Sequence, residues 1–313
     1  MDRPKVLFKG MLPPGWSAIP PERFAAHGFD AIIADRDPYD PLAIQYFSGF
    51  RPPPGFIKTL PNLRTIFSLG AGVDGFLRDP DLPDVPLVRF VDPTLMHEMA
   101  QYVVMHVLIA HRGQRFFDAA QRESQWRQRM LQRPSRDTRI GLLGLGDIGA
   151  SIATSLLPFD FQLSGWSRTR KTVAGVKSHA GEAELPQFLA ACDYLVCTLP
   201  LTEATRGILN AALFAQLPAG AFVINVARGG HLVEADLIAA LDSGHLSGAV
   251  LDVFATEPLP SESPIWRHPK ITATPHIAAL TDTAAALAFI GDGVARAESG
   301  RPLLHVVDKA RGY

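Results

Sequence analysis

"RIGLLGLGDIGASIA", residues 139–153, sets three glycines, Gly144, Gly146 and Gly149, between an apolar run and a stretch with helical spacing. Glycines so placed allow a tight turn, close approach of backbone to a pyrophosphate, and close packing of a helix on a strand. A lone G-x-G-x-x-G is weak evidence. This one has a strand before it, a helix after it and a second strand-like run at 162–166, so dinucleotide binding is preferred over a merely tight turn. Asp147 and Ile148, inside the motif, join the glycines as candidate cofactor contacts.

Outward from this loop the pattern continues as strands alternating with helices. Apolar, branched runs at 139–143, 162–166, 194–199, 221–226, 249–252 and 271–274 read as parallel strands buried on both faces, and therefore as a doubly wound sheet. The first third differs. Short runs at 6–8, 31–34, 42–44, 65–67 and 87–88, separated by proline-rich loops, read as strands of a small α/β domain. A helix is expected from about Met96 to Gly113, then a polar arm over 122–137, and a last helix over 283–298 stopped by Gly300 and Pro302.

Bulk properties narrow the function. The chain has 313 residues, 47% hydrophobic and 19% charged, with a formal net charge of −1. That is a globular composition, and it removes the usual electrostatic case for nucleic acid or an anionic membrane as partner. Cys192 and Cys197 are too few for a disulfide scaffold or an all-cysteine zinc site, which favours a reducing, cytoplasmic setting. "MDRPKVLFKG" reads as a strand rather than a signal peptide. The longest uncharged run, 207–227, contains Asn210, Gln216, Pro218 and Gly220, so it divides into helix, turn and strand and does not span a membrane.

The second strand of the dinucleotide unit ends in "GWSRTRK", residues 165–171. Roughly 20 residues past the glycines an acid would normally receive the adenine ribose hydroxyls. Ser167 stands there instead, followed by Arg168, Arg170 and Lys171. Three cations and no acid suit a 2′-phosphate, so NADP(H) is expected over NAD(H); the competing reading is a solvated basic turn.

Three further residues stand at or just after the ends of late strands: Arg228 in "INVARGG", Glu257 in "LDVFATEPLP" and His276 in "TPHIAA". Ligands of open α/β sheets bind at the carboxyl ends of the strands, so these side chains can converge. A carboxylate beside an imidazole favours the imidazolium, a general acid near neutral pH, and an arginine can hold a carboxylate or polarise a carbonyl. Each has a plainer reading: a structural histidine, a glutamate closing a turn, an arginine paired with Asp252. Their coincidence with a dinucleotide loop carries the case. "HEMAQ" at His97 hints at a zinc hydrolase, but Gln101 stands where a second histidine is needed, so no metal is expected.

"GLLGLGDIGASIA", "NVARGG", "LDVFATEPLP" and "TPHIAA", with "SLGAGVDGFL" at 68–77, together resemble the D-isomer-specific 2-hydroxyacid dehydrogenases over nearly the whole chain. The "SRTRK" turn and the closing "VDKARGY" are similar to that family's glyoxylate/hydroxypyruvate reductase A branch, with Gly165 before Trp166 as a small departure. The resemblance implies an α/β protein in two parts. A doubly wound parallel-sheet (Rossmann) dinucleotide-binding domain would span 100–284, and a smaller, discontinuous flavodoxin-like substrate domain would span 1–99 and 285–313.

It further implies NADPH-dependent reduction of small 2-oxo acids such as glyoxylate and hydroxypyruvate. Arg228 would hold the substrate, His276 would protonate the carbonyl oxygen, and Glu257 would keep His276 protonated. Backbone groups of Gly70, Ala71 and Gly72 would bind the substrate carboxylate. Asp252 would lie near the nicotinamide carboxamide, and Leu199, Pro200, Ala227 and Ala278 would also touch the cofactor. A homodimer through the region from Met96 to Trp126 is expected. Tyr46 and the "FRPPPG" loop are candidates to line the substrate pocket. Alternatives within the resemblance are a phenylpyruvate- or phosphoglycerate-type reductase, or a nucleotide-sensing binding protein akin to a corepressor.

Overall fold

A computed structural model describes residues 3–10, 12, 15–130 and 133–313. The chain divides into two compact units, Met1–Leu95 with Thr281–Tyr313, and Met96–Leu280. The crossings fall four residues earlier than the sequence patterns place them, inside the first turn of a helix at Pro93–Arg112 and just before one at Thr283–Glu298.

Among the described residues the first unit holds five parallel strands: β1 (Lys5–Phe8), β2 (Asp30–Ile33), β3 (Tyr46–Gly49), β4 (Thr65–Ser68) and β5 (Leu87–Val88). Their order, β2-β1-β3-β4-β5, is that of a flavodoxin-like sheet. Helix Thr283–Glu298 returns to this sheet after the excursion through the second unit. Asp282 caps it by accepting the Ala285 N–H at 2.8 Å. Phe289 packs edge-on against Phe67 and Phe90, with ring centroids 6.0 and 5.2 Å away.

Two readings of this unit need correction. Residues 42–44 are no strand: Pro41–Ala43 form a 3-10 turn, because Asp40 accepts the Leu42 N–H at 2.9 Å and Pro41 has no N–H for a ladder. The strand lies two residues further on, as β3. Its first residue, Tyr46, is fully buried and donates to Glu298 Oε1 at 2.6 Å, so it belongs to the core rather than to a pocket wall.

The second unit holds β6 (Arg139–Leu143), β7 (Gln162–Ser167), β8 (Val176–Ala180), β9 (Tyr194–Cys197), β10 (Ala221–Asn225), β11 (Leu246–Leu251) and β12 (Ile271–Ala273). All pair in parallel, in the order β12-β11-β10-β9-β6-β7-β8. Successive side chains feed opposite faces. Leu143, Leu195, Val223 and Leu251 enter one core, while Leu142, Val196, Ile224 and Val250 enter the other. Two-sided burial is why these strands read as unbroken apolar runs. Strand β8 was not visible in the sequence, because "VKSHA" is a half-polar edge strand.

At the amino ends of these strands Asp193 takes the Arg139 N–H (2.9 Å), Nε (3.0 Å) and NH2 (2.7 Å), and also Arg133 (2.8 Å). Burial works to raise this carboxyl, but Arg139 and Arg133 hold it below the usual carboxylate range.

Helix Pro93–Arg112 ends where Gly113 adopts φ +66°, and Gln114–Arg122 continues as a separate helix. Residues 125–130 beyond it are neither helix nor strand, and they expose Trp126 (94%) and Met130 (90%). Residues 131 and 132 of the expected arm lie outside the described residues. Among the described residues no helix is long and apolar enough to cross a membrane.

Candidate functional site

The chain of the second unit starts in the middle of its sheet, at β6, runs outward to β8, and then returns to build β9 on the other side. The carboxyl ends of β6 and β9 are therefore the switch point at which open α/β sheets bind their ligands. Gly144 ends β6 with φ +117°, and Thr198, following β9, donates from Oγ1 to the Gly144 carbonyl at 2.7 Å. Leu199 and Pro200 follow directly.

The glycines do different work. A side-chain carbon on Gly149 would lie 1.9 Å from the Gly144 oxygen, so that glycine serves close packing of helix Asp147–Leu156 on the loop. One on Gly146 would meet nothing within 4 Å, and its φ of −78° suits any residue. Nothing among the described residues accounts for a glycine there. A pyrophosphate approaching the helix start does, and the residues present fit a bound dinucleotide.

The basic turn is more engaged than its sequence suggests. Arg170 donates to the Ser178 carbonyl at 2.7 Å and pairs with the Glu184 carboxylate, while Ser167 Oγ donates to the Thr169 carbonyl at 2.7 Å. Glu184 lies on helix Gly181–Leu189, and local reading of "SRTRK" could not have found it.

Glu257 and His276 come together. His276 Nδ1 lies 3.0 Å from Glu257 Oε2, with the histidine side chain 41% exposed and the glutamate 13%. The other oxygen, Oε1, accepts the Phe254 N–H at 3.1 Å, which fixes the carboxylate plane. With Nδ1 donating to Glu257, Nε2 is the nitrogen left to carry a transferable proton.

Arg228 is held by its backbone. Its N–H donates to His231 Nδ1 (3.2 Å), its carbonyl accepts from Asn225 Nδ2 (3.1 Å), and NH1 donates to the Ala227 carbonyl (2.7 Å). Gly229 lets this segment press on the loop after β11, since a side-chain carbon there would lie 1.8 Å from the Phe254 carbonyl carbon. Arg228 therefore sits next to the segment that orients Glu257.

The sequence reading missed His231. It is fully buried, and since Nδ1 accepts from Arg228, Nε2 carries the proton that reaches the Pro200 carbonyl at 3.2 Å. One imidazole thus ties the Arg228 backbone to the loop after β9. A histidine three residues past the arginine was the only available signal.

Asp252 is 1% exposed, and its carboxylate accepts from Thr274 Oγ1 (2.6 Å), Ile277 N (2.9 Å) and Ala278 N (2.9 Å). It shapes the turn carrying His276 rather than pairing with Arg228. In the first unit the Gly70 N–H is taken by Ser68 Oγ at 3.2 Å, whereas those of Ala71 and Gly72 have no acceptor among the described residues.

Residues 104–278 match the family model described as "D-isomer specific 2-hydroxyacid dehydrogenase, NAD binding domain". A D-isomer specific 2-hydroxyacid dehydrogenase from Xanthobacter autotrophicus Py2, solved with NADPH and MES, is 41% identical, with 99% of this chain and 100% of that one covered and a TM-score of 0.91. An NADPH-dependent glyoxylate/hydroxypyruvate reductase from Sinorhizobium meliloti, solved with NADP and sulfate, is 39% identical over 100% of both chains, with a TM-score of 0.90. A probable 2-hydroxyacid dehydrogenase from Rhizobium etli CFN 42, solved with NADP, HEPES and L(+)-tartaric acid, is 36% identical over 100% of both, with a TM-score of 0.92. The chain belongs to the D-isomer specific 2-hydroxyacid dehydrogenase family. It is therefore a nicotinamide-dependent oxidoreductase.

The contrast between Gly146 and Gly149 is testable. Gly146→Val should leave thermal stability nearly unchanged, as a substitution into open space within about 0.5 kcal/mol would. It should also weaken nicotinamide dinucleotide binding, measured by quenching of protein fluorescence, by at least about tenfold. A variant that binds normally would show that the loop is not the pyrophosphate cradle.

Proposed function

We propose that this protein reduces small 2-oxo acids of the glyoxylate and hydroxypyruvate type to D-2-hydroxy acids, using NADPH. The observation that carries the reading is the Glu257–His276 pair, a solvent-reachable imidazole backed by an oriented carboxylate, on a sheet whose switch point carries the glycine loop. Nicotinamide, when bound, supplies the hydride that reaches the carbonyl carbon. His276 gives the proton at Nε2 to the carbonyl oxygen, so hydride and proton together turn C=O into CH–OH. Glu257 accepts the Nδ1 hydrogen bond and fixes the ring. Arg228 holds the oxo acid with its guanidinium, polarising its carbonyl. The amides of Ala71 and Gly72 are assigned to a carboxylate anion.

The Xanthobacter, Sinorhizobium and Rhizobium relatives, each solved with NADPH or NADP, support the cofactor assignment, and the activity named for the Sinorhizobium protein supports the substrate class. Mixing the protein with NADPH and glyoxylate, and following loss of the reduced-nicotinamide absorbance, tests the reading directly. A protein that binds NADPH yet turns over no 2-oxo acid would be a nucleotide sensor instead.

His276→Gln should lower kcat for glyoxylate reduction by roughly 10²–10⁴-fold. Glu257→Gln keeps an acceptor for Nδ1 but removes the carboxylate, and should lower kcat by at least about tenfold. An unchanged kcat would separate Glu257 from the role given to it.

NADPH should be preferred over NADH. Its 2′-phosphate brings a charge of about −1.5 to −2, for which Arg168 and Arg170 are the cations of the turn, Arg170 while shared with Glu184. One charge-assisted contact of about 1.5–3 kcal/mol corresponds to a preference of roughly ten- to hundredfold in kcat/KM. Ser167→Asp with Arg168→Ala should shrink or reverse it. Equal efficiency with both cofactors in the unmodified enzyme would leave the turn as a solvated basic surface.

We also assign a homodimer to this chain. Trp126 and Met130, nearly fully exposed beyond the helices Pro93–Arg112 and Gln114–Arg122, are apolar surface of the kind that a second copy covers. Light scattering should give about twice the chain mass, and a monomer at all concentrations would exclude the dimer.

A further inference from the structure

His276 has φ +55°, a left-handed conformation uncommon for a residue with a side chain. What imposes it here can be traced bond by bond. The His276 N–H donates to the carbonyls of Asp252 (2.8 Å) and Thr274 (3.0 Å). The next two N–H groups, of Ile277 and Ala278, both end on the Asp252 carboxylate. Thr274, two residues before the histidine, ends there as well, through its hydroxyl. Residues on both sides of His276 thus hang on one buried side chain.

The chain of donors extends one member further. Thr274 has a single hydroxyl proton, and Asp252, an acceptor only, takes it at 2.6 Å. The Thr274 oxygen can then only accept from Tyr102, whose hydroxyl lies 2.5 Å away. Tyr102 stands on helix Pro93–Arg112, far along the chain, and burial pushes its phenol up to about 12, so it keeps the proton it donates. Its ring packs on His106, with centroids 4.4 Å apart. Burial, with Arg115 adding to it, lowers the pKa of His106 and favours the neutral ring. A phenylalanine would fill the same space, so packing accounts for the ring of Tyr102 and not for its hydroxyl.

We propose that Tyr102 is a positioning residue for the reaction, acting through Thr274 and Asp252 to hold the His276 turn in the conformation that meets Glu257. This inference rests on His276 being the proton donor. The directional chain Tyr102 O–H to Thr274 O–H to Asp252 carboxylate orients the acceptor lobes of Asp252 toward the Ile277 and Ala278 amides. Without the phenol, the Thr274 hydroxyl loses the donor that fixes its rotamer, and the carboxylate that shapes the turn loses its orientation.

Tyr102→Phe, which removes one oxygen, tests this on the intact protein by two independent measurements. Amide hydrogen exchange followed by NMR should show Ile277 and Ala278 exchanging at least about tenfold faster than in the unmodified protein. Thr274→Val should do the same, and Thr274→Ser should recover most of the protection that valine loses. In turnover with glyoxylate and NADPH, Tyr102→Phe should lower kcat by about ten- to hundredfold, as expected when a reacting group is misplaced by a fraction of an ångström to an ångström. NADPH affinity and melting temperature should change little. The loss should fall on kcat with the KM for NADPH unchanged, and Thr274→Ser should recover the kcat that Thr274→Val loses; a purely structural defect would give neither the split nor the rescue. Unchanged protection of the two amides overturns the proposal. So does unchanged kcat in Tyr102→Phe when His276→Gln is inactive. Should His276→Gln itself retain activity, the catalytic reading of His276 fails, and amide protection alone then decides whether the chain holds the turn.

Discussion

A parallel sheet buried on both faces leaves polar side chains almost nowhere to go except its two ends, and the second unit is organised by that constraint. Asp193 spends its carboxylate at the amino end, tying down Arg139 and Arg133. At the carboxyl end Asn225 closes β10 and turns its amide on Arg228 in the loop that follows, while Asp252 after β11 and Thr274 after β12 bond each other, and Asp252 also takes the amides of the turn that carries His276. Asp252 is the extreme case. It is a carboxylate sealed from water whose partners are N–H and O–H donors rather than a cation. Such a group must be surrounded by donors, so the chain from Thr274 to Ala278 is bent to supply them, and His276 is carried outward on the bend.

The same constraint explains why an arginine can end a strand as apolar as β10. Arg228 has both backbone polar groups satisfied by buried side chains, Asn225 and His231, before its guanidinium is considered. Fixing the backbone this way places the charge without enclosing it. His231 also reaches the Pro200 carbonyl, so one buried imidazole sets the spacing between the loops after β9 and β10. The two histidines divide their chemistry by burial. His231, fully enclosed, acts as a spacer, whereas His276, partly exposed, rests one ring nitrogen on the Glu257 carboxylate.

Much of this was legible in the residues. The doubly wound sheet follows from two-sided burial and the glycine loop from its spacing, while strand ends marked by charged residues allow Glu257 and His276 to converge and the family resemblance implies their pairing. What escaped did so for identifiable physical reasons. Residues 42–44 look like a strand until Asp40 and Pro41 are allowed to fold them into a turn. Strand β8 is half polar because it lies at an edge. Tyr46 reads as a pocket residue, but its hydroxyl is satisfied by Glu298, 252 positions away in the chain. Arg170 reads as available for a phosphate, yet Glu184 on the following helix already shares it. In each case the deciding partner is a side chain that no local pattern brings near.

The first unit is interrupted by the whole of the second, and this orders events during synthesis. Residues 96–280 leave the ribosome as one continuous stretch, whereas the first unit must wait for helix Thr283–Glu298 to finish its core. Until that helix arrives, Phe67 and Phe90 lack Phe289, and Tyr46 lacks Glu298. At about 5–20 residues per second, the interval is on the order of ten to forty seconds. Through that time a nascent five-stranded sheet carries uncovered aromatic surface. The length of the inserted unit therefore sets how long the first one stays exposed to chaperones and to neighbouring chains on the same message.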